Sequence, residues 1–105
     1  MHPDLDATLC ARWPLIFAQR HGDPTTTAMC YGFACGDGWF GLIDGLCEAL
    51  QWETDHDGAP QVVARQVKNK LGSLRFHAIG MNEIHRGMIA AAKSISLRVP
   101  DAGTP

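Results

Sequence analysis

The stretch WFGLIDGLCEAL, residues 39–50, places Trp39, Leu42, Ile43, Leu46, Cys47 and Leu50 three or four residues apart. That spacing lines six apolar side chains along one stripe of an α-helix and fits no strand, whose side chains alternate with a period of two. It predicts a helix of about four turns that must bury one face against something else. Asp37 stands where an N-cap belongs, its carboxylate free to accept the unpaired N–H groups of the first turn. Asp44 and Glu48 lie four apart and are expected on the opposite, solvent side. Gly41 and Gly45 each cost up to ~1 kcal/mol against alanine inside a helix. They mark either the close approach of another backbone or open surface positions. Trp52 lies just past the stripe, where a core contact and a dimer contact are both open to it.

The remaining segments supply what this stripe packs on. Leu5, Leu9 and Trp13 predict a helix over Asp4–Trp13, ended by Pro14 and followed by an irregular apolar arm, Leu15-Ile16-Phe17. His21-Gly22-Asp23-Pro24 is turn chemistry, and Met29–Phe33 is expected to form a short strand. Glu53–Pro60 is a polar loop. Gln61–Ile79 predicts a β-hairpin turning at Asn69–Gly72, with Val63 and Val67 on one face of the first arm and Leu74, Phe76 and Ala78 on one face of the second. A last helix runs from Glu83 to Leu97, capped by Asn82, with Ile84, Met88, Ala91, Ala92 and Ile95 as its stripe. Pro100 and Gly103 then end ordered structure, leaving a disordered tail from about residue 99. The expectation is one small α+β domain over residues 1–105, about three helices on a small antiparallel hairpin or sheet.

Several chemistries are weighed and set aside. Gly36-x-Gly38-x-x-Gly41 with Asp55 further on matches a dinucleotide-binding pattern, but that pattern requires a parallel βαβ unit. Here the helix leads into a hairpin, and Trp39 and Phe40 crowd the loop. Cys35 precedes a helix N-terminus, which should lower its pKa, and His77 or His85 could meet it through the fold. The residue that would match a papain-like nucleophile is Gly38, so a thiol-dependent enzyme at Cys35 stands only as an alternative. Cys30 and Cys35 could join His21 or His56 around zinc, although their spacing matches no common knuckle. No catalytic residue, metal site or cofactor is therefore assigned. The opening MHPDLDATL has acids where a secretion signal is basic, and the apolar run Trp13–Ala18 is too short for a membrane span. A reducing cytoplasm is expected, with Cys10, Cys30, Cys35 and Cys47 as free thiols.

Charge is uneven although the net value is only −2. Between Arg65 and His77 lie Arg65, Lys68, Lys70 and Arg75 and no acid. Between Asp37 and Asp57 lie six acids and no lysine or arginine. Such opposed patches steer docking between proteins. The expected contact set is Arg65, Lys68, Lys70 and Arg75, with Glu53, Asp55 and Asp57 second. Nucleic-acid binding through the basic hairpin is the alternative, but it calls for interleaved exposed aromatics, and alternation sends Phe76 to the apolar face.

Gly36-Asp37-Gly38-Trp39-Phe40-x-Leu42-Ile43-x-x-Leu46-Cys47, followed by Gln66-Val67-Lys68-x-Lys70-x-Gly72-x-Leu74-Arg75-Phe76, resembles a family of small uncharacterised bacteriophage and prophage proteins. Its pattern is roughly G-D-G-W-[FY]-x-L-I-x-x-L-C and Q-[IV]-K-x-K-[FY]-G-x-L-R-F. Leu71 stands where the family has an aromatic. Val99 and Ala102 stand where many relatives carry the cysteines of a C-x-x-C-G knuckle. The resemblance implies a non-enzymatic accessory protein that binds a host or phage protein, as inhibitors of bacterial defence such as anti-CRISPR proteins do.

Overall fold

A computed structural model describes residues 1–102 of the chain. The fold is α+β: helices α1 (Pro3–Arg12), α2 (Phe40–Asp57) and α3 (Glu83–Ser96), and strands β1 (Phe33–Ala34), β2 (Val63–Lys70) and β3 (Ser73–Ile79). The strands form one sheet in the order β1-β2-β3. β2 and β3 are antiparallel, as the hairpin pattern predicts, whereas β1 lies parallel to β2. The sheet is therefore mixed, and β1-α2-β2 is a parallel βαβ unit. The sequence carries no alternation over Met29–Phe33 because Met29–Tyr31 is a 3-10 turn and only Phe33–Ala34 extends. That turn is set by the Met29 N–H on Thr27 Oγ1 at 3.1 Å and the Ala28 N–H on the Arg65 carbonyl at 2.9 Å.

α2 buries the expected stripe: Trp39, Ile43, Cys47 and Leu50 are at most 1% exposed. Its two ends differ from expectation. A 3-10 turn over Asp37–Trp39 precedes it, and Asp37 does not cap it; Asp37 Oδ1 instead accepts the His2 N–H at 2.6 Å. At the other end the helix continues through Glu53–Asp57 and stops at Gly58, whose φ of 68° is the left-handed cap conformation. Asp44 is not a solvated acid. It accepts Trp13 Nε1 at 2.9 Å and Arg12 Nη1 at 2.8 Å, so one carboxylate ties the end of α1 to α2. Neither Gly41 nor Gly45 has a neighbour within 4 Å of where a Cβ would sit, so both are open positions.

The register of β2 shifts between Ala64 and Gln66, with Arg65 as the extra residue of a bulge. The bulge moves the core face from the expected Val63 and Val67 to Ala64 and Val67, both fully buried, and Val63 turns outward. On β3, Leu74 and Phe76 are buried and Ala78 half-buried on the core face, as alternation requires. The hairpin turn is tighter than four residues: Leu71 (φ 56°) and Gly72 (φ 84°) alone make it, in the positive-φ pattern of a I′ turn.

Asn82 caps α3, with Asn82 and His85 each accepting the other's backbone N–H. The buried face of α3, however, is His85, Ala92 and Ser96, while Ile84 and Ile95 are half exposed. Polar residues can face inward because each finds a partner. His85 Nδ1 accepts the Asn82 N–H, its Nε2 lies 3.1 Å from the Leu50 carbonyl, and Ser96 Oγ accepts the Leu74 N–H at 2.9 Å. The apolar stripe of α3 is consequently turned aside, toward α2. Both helices lie on one face of the sheet; the other face carries no helix, with Ala34, Lys70, His77 and Ile79 exposed, Gln66, Lys68 and Arg75 half-buried and Ser73 buried. Among the described residues no helix is long and apolar enough to cross a membrane.

Candidate functional site

The glycine loop sits between β1 and α2, inside the parallel unit that a dinucleotide site needs, so the hairpin objection does not hold. What occupies the loop is the chain's own C-terminal segment. The Gly36 N–H donates to Asp101 Oδ2 at 2.9 Å, the Gly38 N–H to the Asp101 carbonyl at 2.8 Å, and Trp39 Nε1 to the Val99 carbonyl at 2.6 Å. A Cβ on Gly36 would collide with the Asp101 carbonyl. The Asn69 side chain and the Gly36 N–H hold the Asp101 carboxyl below the usual aspartate range. Val99–Ala102 is thus bonded in place, contrary to the expected disorder from residue 99; residues 103–105 lie outside the described residues. The N-terminus closes the same corner, the Met1 ammonium donating to the Cys35 carbonyl at 2.7 Å. Asp55, the would-be ribose acid, stands near the far end of α2, ~25 Å along the helix from Gly38.

Cys35 is the opposite of an activated thiol. Burial, with smaller contributions from Asp101 and Asp37, pushes its pKa up to about 11 against the pull of the Met1 ammonium. The expected lowering fails because burial of the thiol outweighs the nearby positive charge. His85 is locked into its own hydrogen bonds, and His77 is exposed on the open sheet face. Among the described residues no three His, Cys, Asp or Glu side chains converge to hold a metal ion, so Cys30, Cys35, His21 and His56 do not assemble.

The basic residues do come together. Lys68 pairs with Arg75 across β2 and β3, Gln66 with His77, and Lys70 with Ser73. These positions alternate with the core pairs Val67–Phe76 and Asn69–Leu74, so Lys68, Lys70, Arg75 and His77 share the open face of the sheet. Arg65 is exposed at the bulge beside them. No acid falls on this face, and among the described residues none of the four Lys and Arg side chains has an ion-pair partner. Tyr31 is the exposed aromatic of the β1 approach, at 75%; none projects from the open face itself, since Phe76 is buried. The Leu74 N–H points to Ser96 at the outer edge, so by the same alternation the Phe76 and Ala78 main chain also faces that edge.

The acidic set is dispersed. Glu53 is buried on α2, and a hydrogen bond with Asp57, burial and that carboxylate's charge raise its pKa above the usual range. Asp55 is exposed and accepts Gln51 Nε2 at 3.0 Å. Glu53 is thus unavailable to a partner, while Asp55 and Asp57 remain on the surface. Sequence reasoning left out Gln66 and His77, although the alternation that buries Val67 and Phe76 places both on the opposite face with Lys68 and Arg75. It also missed Asp101, which joins Asn69 to the glycine loop across sixty-five residues of chain.

Comparison of the chain with protein-family models, with curated proteins and with solved structures finds no match.

Proposed function

We propose that the chain is a non-enzymatic protein-interaction module of phage or prophage origin. It acts in the bacterial cytoplasm by docking the open sheet face onto an acidic surface of a host or phage protein, in the manner of an anti-defence inhibitor. The phage setting comes from the two motifs around Gly36–Cys47 and Gln66–Phe76. The observation that carries the docking reading is the basic face: Lys68, Lys70 and Arg75 side by side, flanked by Arg65, without acids or ion-pair partners. Uncompensated charge of one sign attracts a complementary surface and speeds encounter with it. A protein is favoured over a nucleic acid because the face offers no aromatic ring on which bases could stack.

The test is affinity capture by the tagged protein from infected-host lysate, with and without nuclease, in parallel with a Lys68→Glu/Lys70→Glu variant. Neither side chain holds an ion pair, so the variant should melt within about 4 °C of the parent, as surface substitutions do. A stoichiometric protein that survives nuclease and is lost with the variant supports the reading. Capture that vanishes with nuclease and declines steeply with salt assigns the face to nucleic acid instead.

A further inference from the structure

We infer that the helix-free face of the sheet holds a binding site for one tetrahedral oxyanion of the phosphate class, built by Lys68 and Lys70 on β2 and by Ser73 and Arg75 on β3. The inference deepens the docking reading of that face and rests on it only for the source of the anion, a phosphorylated side chain of the docked protein. In the register of the hairpin Lys70 stands opposite Ser73 and Lys68 opposite Arg75. Directly opposite side chains start about 5 Å apart, and successive pairs on one face about 7 Å apart. The four side chains therefore rise from the corners of one small rectangle.

Two donors in this rectangle lack acceptors. Ser73 Oγ and Arg75 Nε are both closed off from solvent, and among the described residues neither has a hydrogen-bond partner. Ser73 is 7% exposed although no helix covers this face, its short side chain lying at the floor beside longer neighbours. A buried polar group left unpaired costs stability, so each one in a folded protein calls for an explanation. Here two stand two residues apart on one strand, on the same face. Gln19 Oε1, a third such atom, is an acceptor and lies outside the sheet. Lys68 and Arg75 add an independent sign. Like charges directly opposite each other across two strands repel, and no acid on this face relieves them. An anion held between them turns that repulsion into attraction.

Donor count and charge select the ligand. A carboxylate brings one charge and two oxygens, which a guanidinium fork satisfies alone, leaving the Ser73 hydroxyl and both ammonium groups without a role. A phosphate monoester brings a charge of about −1.5 to −2 and three strong acceptor oxygens. It takes parallel bonds from the Arg75 fork and one from the Ser73 hydroxyl, while Lys68 and Lys70 match its remaining charge. Lys70 is exposed and Lys68 half-buried. Both ammonium groups ride on flexible four-carbon stems, so they can part to admit the anion and close over it.

The experiment is nuclear magnetic resonance of the full, nitrogen-15-labelled chain at neutral pH, titrated with inorganic phosphate at constant ionic strength and, in parallel, with acetate. It needs no partner, so its failure and a failure of the affinity capture are separate results. Saturable shifts of the Ser73 and Arg75 amides and of the Arg75 Nε–H are expected at millimolar phosphate, with acetate about tenfold weaker or more. Arg75→Gln should weaken phosphate about tenfold or more, and Lys70→Gln, at an exposed position, about two- to fivefold. Ser73→Ala carries a double signature. It should weaken phosphate about fivefold and, by removing an unpaired buried hydroxyl, raise the melting temperature of the ligand-free protein. A peptide bearing one phosphoserine that binds at least as well as phosphate, while its glutamate counterpart does not, assigns the anion to a docked protein. Phosphate that binds where the phosphopeptide does not keeps the site and assigns it to a free anion. The absence of saturable shifts, acetate binding as well as phosphate, or affinity indifferent to Ser73→Ala overturns the inference, as does binding confined to an oligonucleotide.

Discussion

Among the described residues Leu71 is the one non-glycine with positive φ, and at 96% exposure its side chain packs on nothing. A left-handed backbone costs an L-residue about 1–2 kcal/mol, and a I′ turn favours asparagine at this first central position, ahead of the glycine already present. Leu71→Asn should therefore stabilise the fold by about 0.5–1 kcal/mol in denaturant unfolding. An unchanged midpoint would mean that the turn relaxes its strain elsewhere. Glu53 is the second position where residue and surroundings disagree. Its raised pKa, caused first by the hydrogen bond with Asp57, means that the folded protein holds a proton there that the unfolded chain has released. That contribution is complete below the ordinary glutamate value and is lost as pH rises through the raised one. Glu53→Gln never ionises, so its melting temperature should exceed the parent's at pH 7 and lose the parent's decline just above the ordinary glutamate range. A parallel decline in both proteins would place the titrating group elsewhere.

Among the elements, the C-terminal segment and the glycine loop depend on each other. Gly36 and Gly38 give their N–H groups to Asp101 and Trp39 gives its indole N–H to Val99, so one short loop secures the chain end to the start of α2. Asp101→Ala removes the carboxylate that bridges Gly36 and Asn69, at a cost of about 1 kcal/mol for a charged acceptor near the surface. Because this carboxyl is held below its usual range, its contribution is present above the ordinary aspartate value and is lost as pH falls through the lowered one. The deficit of the variant should thus be seen at pH 7 and shrink in acid. Cys35 lies beneath this clasp, and its reaction with a disulfide reagent at neutral pH should quicken in Asp101→Ala while the deeper Cys47 stays slow. Equal rates in parent and variant would show that the segment does not shield the thiol.

At the scale of the whole molecule the layering is one-sided. α2 and α3 cover one face of the sheet and leave the other bare, and the bare face holds the basic residues, whose charges spread over about 15 Å of two adjacent strands. The loss of capture expected for Lys68→Glu/Lys70→Glu belongs to this scale, since it removes a field rather than a single bond. Partner association should accordingly slow as salt is raised, with dissociation little changed.

The amino-acid order alone determined the helices, the hairpin and the α+β class, because those depend on periodicities contained in contiguous segments. The α2 stripe from Trp39 to Leu50, the Asn82 cap and the alternation of Leu74, Phe76 and Ala78 are local patterns, and the fold keeps them. The grouping of Arg65, Lys68, Lys70 and Arg75 was also legible, since neighbouring strands of a hairpin bring sequence neighbours together. Tertiary structure alone decided the rest. The bulge at Arg65 exchanged the faces of β2 ahead of it, an event with no mark in composition. β1 joined β2 in parallel through a crossover that no local pattern announces. Asp44 and Glu53 were drawn inward by partners distant in sequence or in contact only once α2 was complete. His85 and Ser96 took the buried face of α3 from Ile84 and Ile95: a buried polar group with a partner costs little, and a half-exposed isoleucine forfeits only part of its burial gain. The loop at Gly36, which reads as a phosphate cradle, received a carboxylate sixty-five residues away, a pairing set by where the chain end comes to rest.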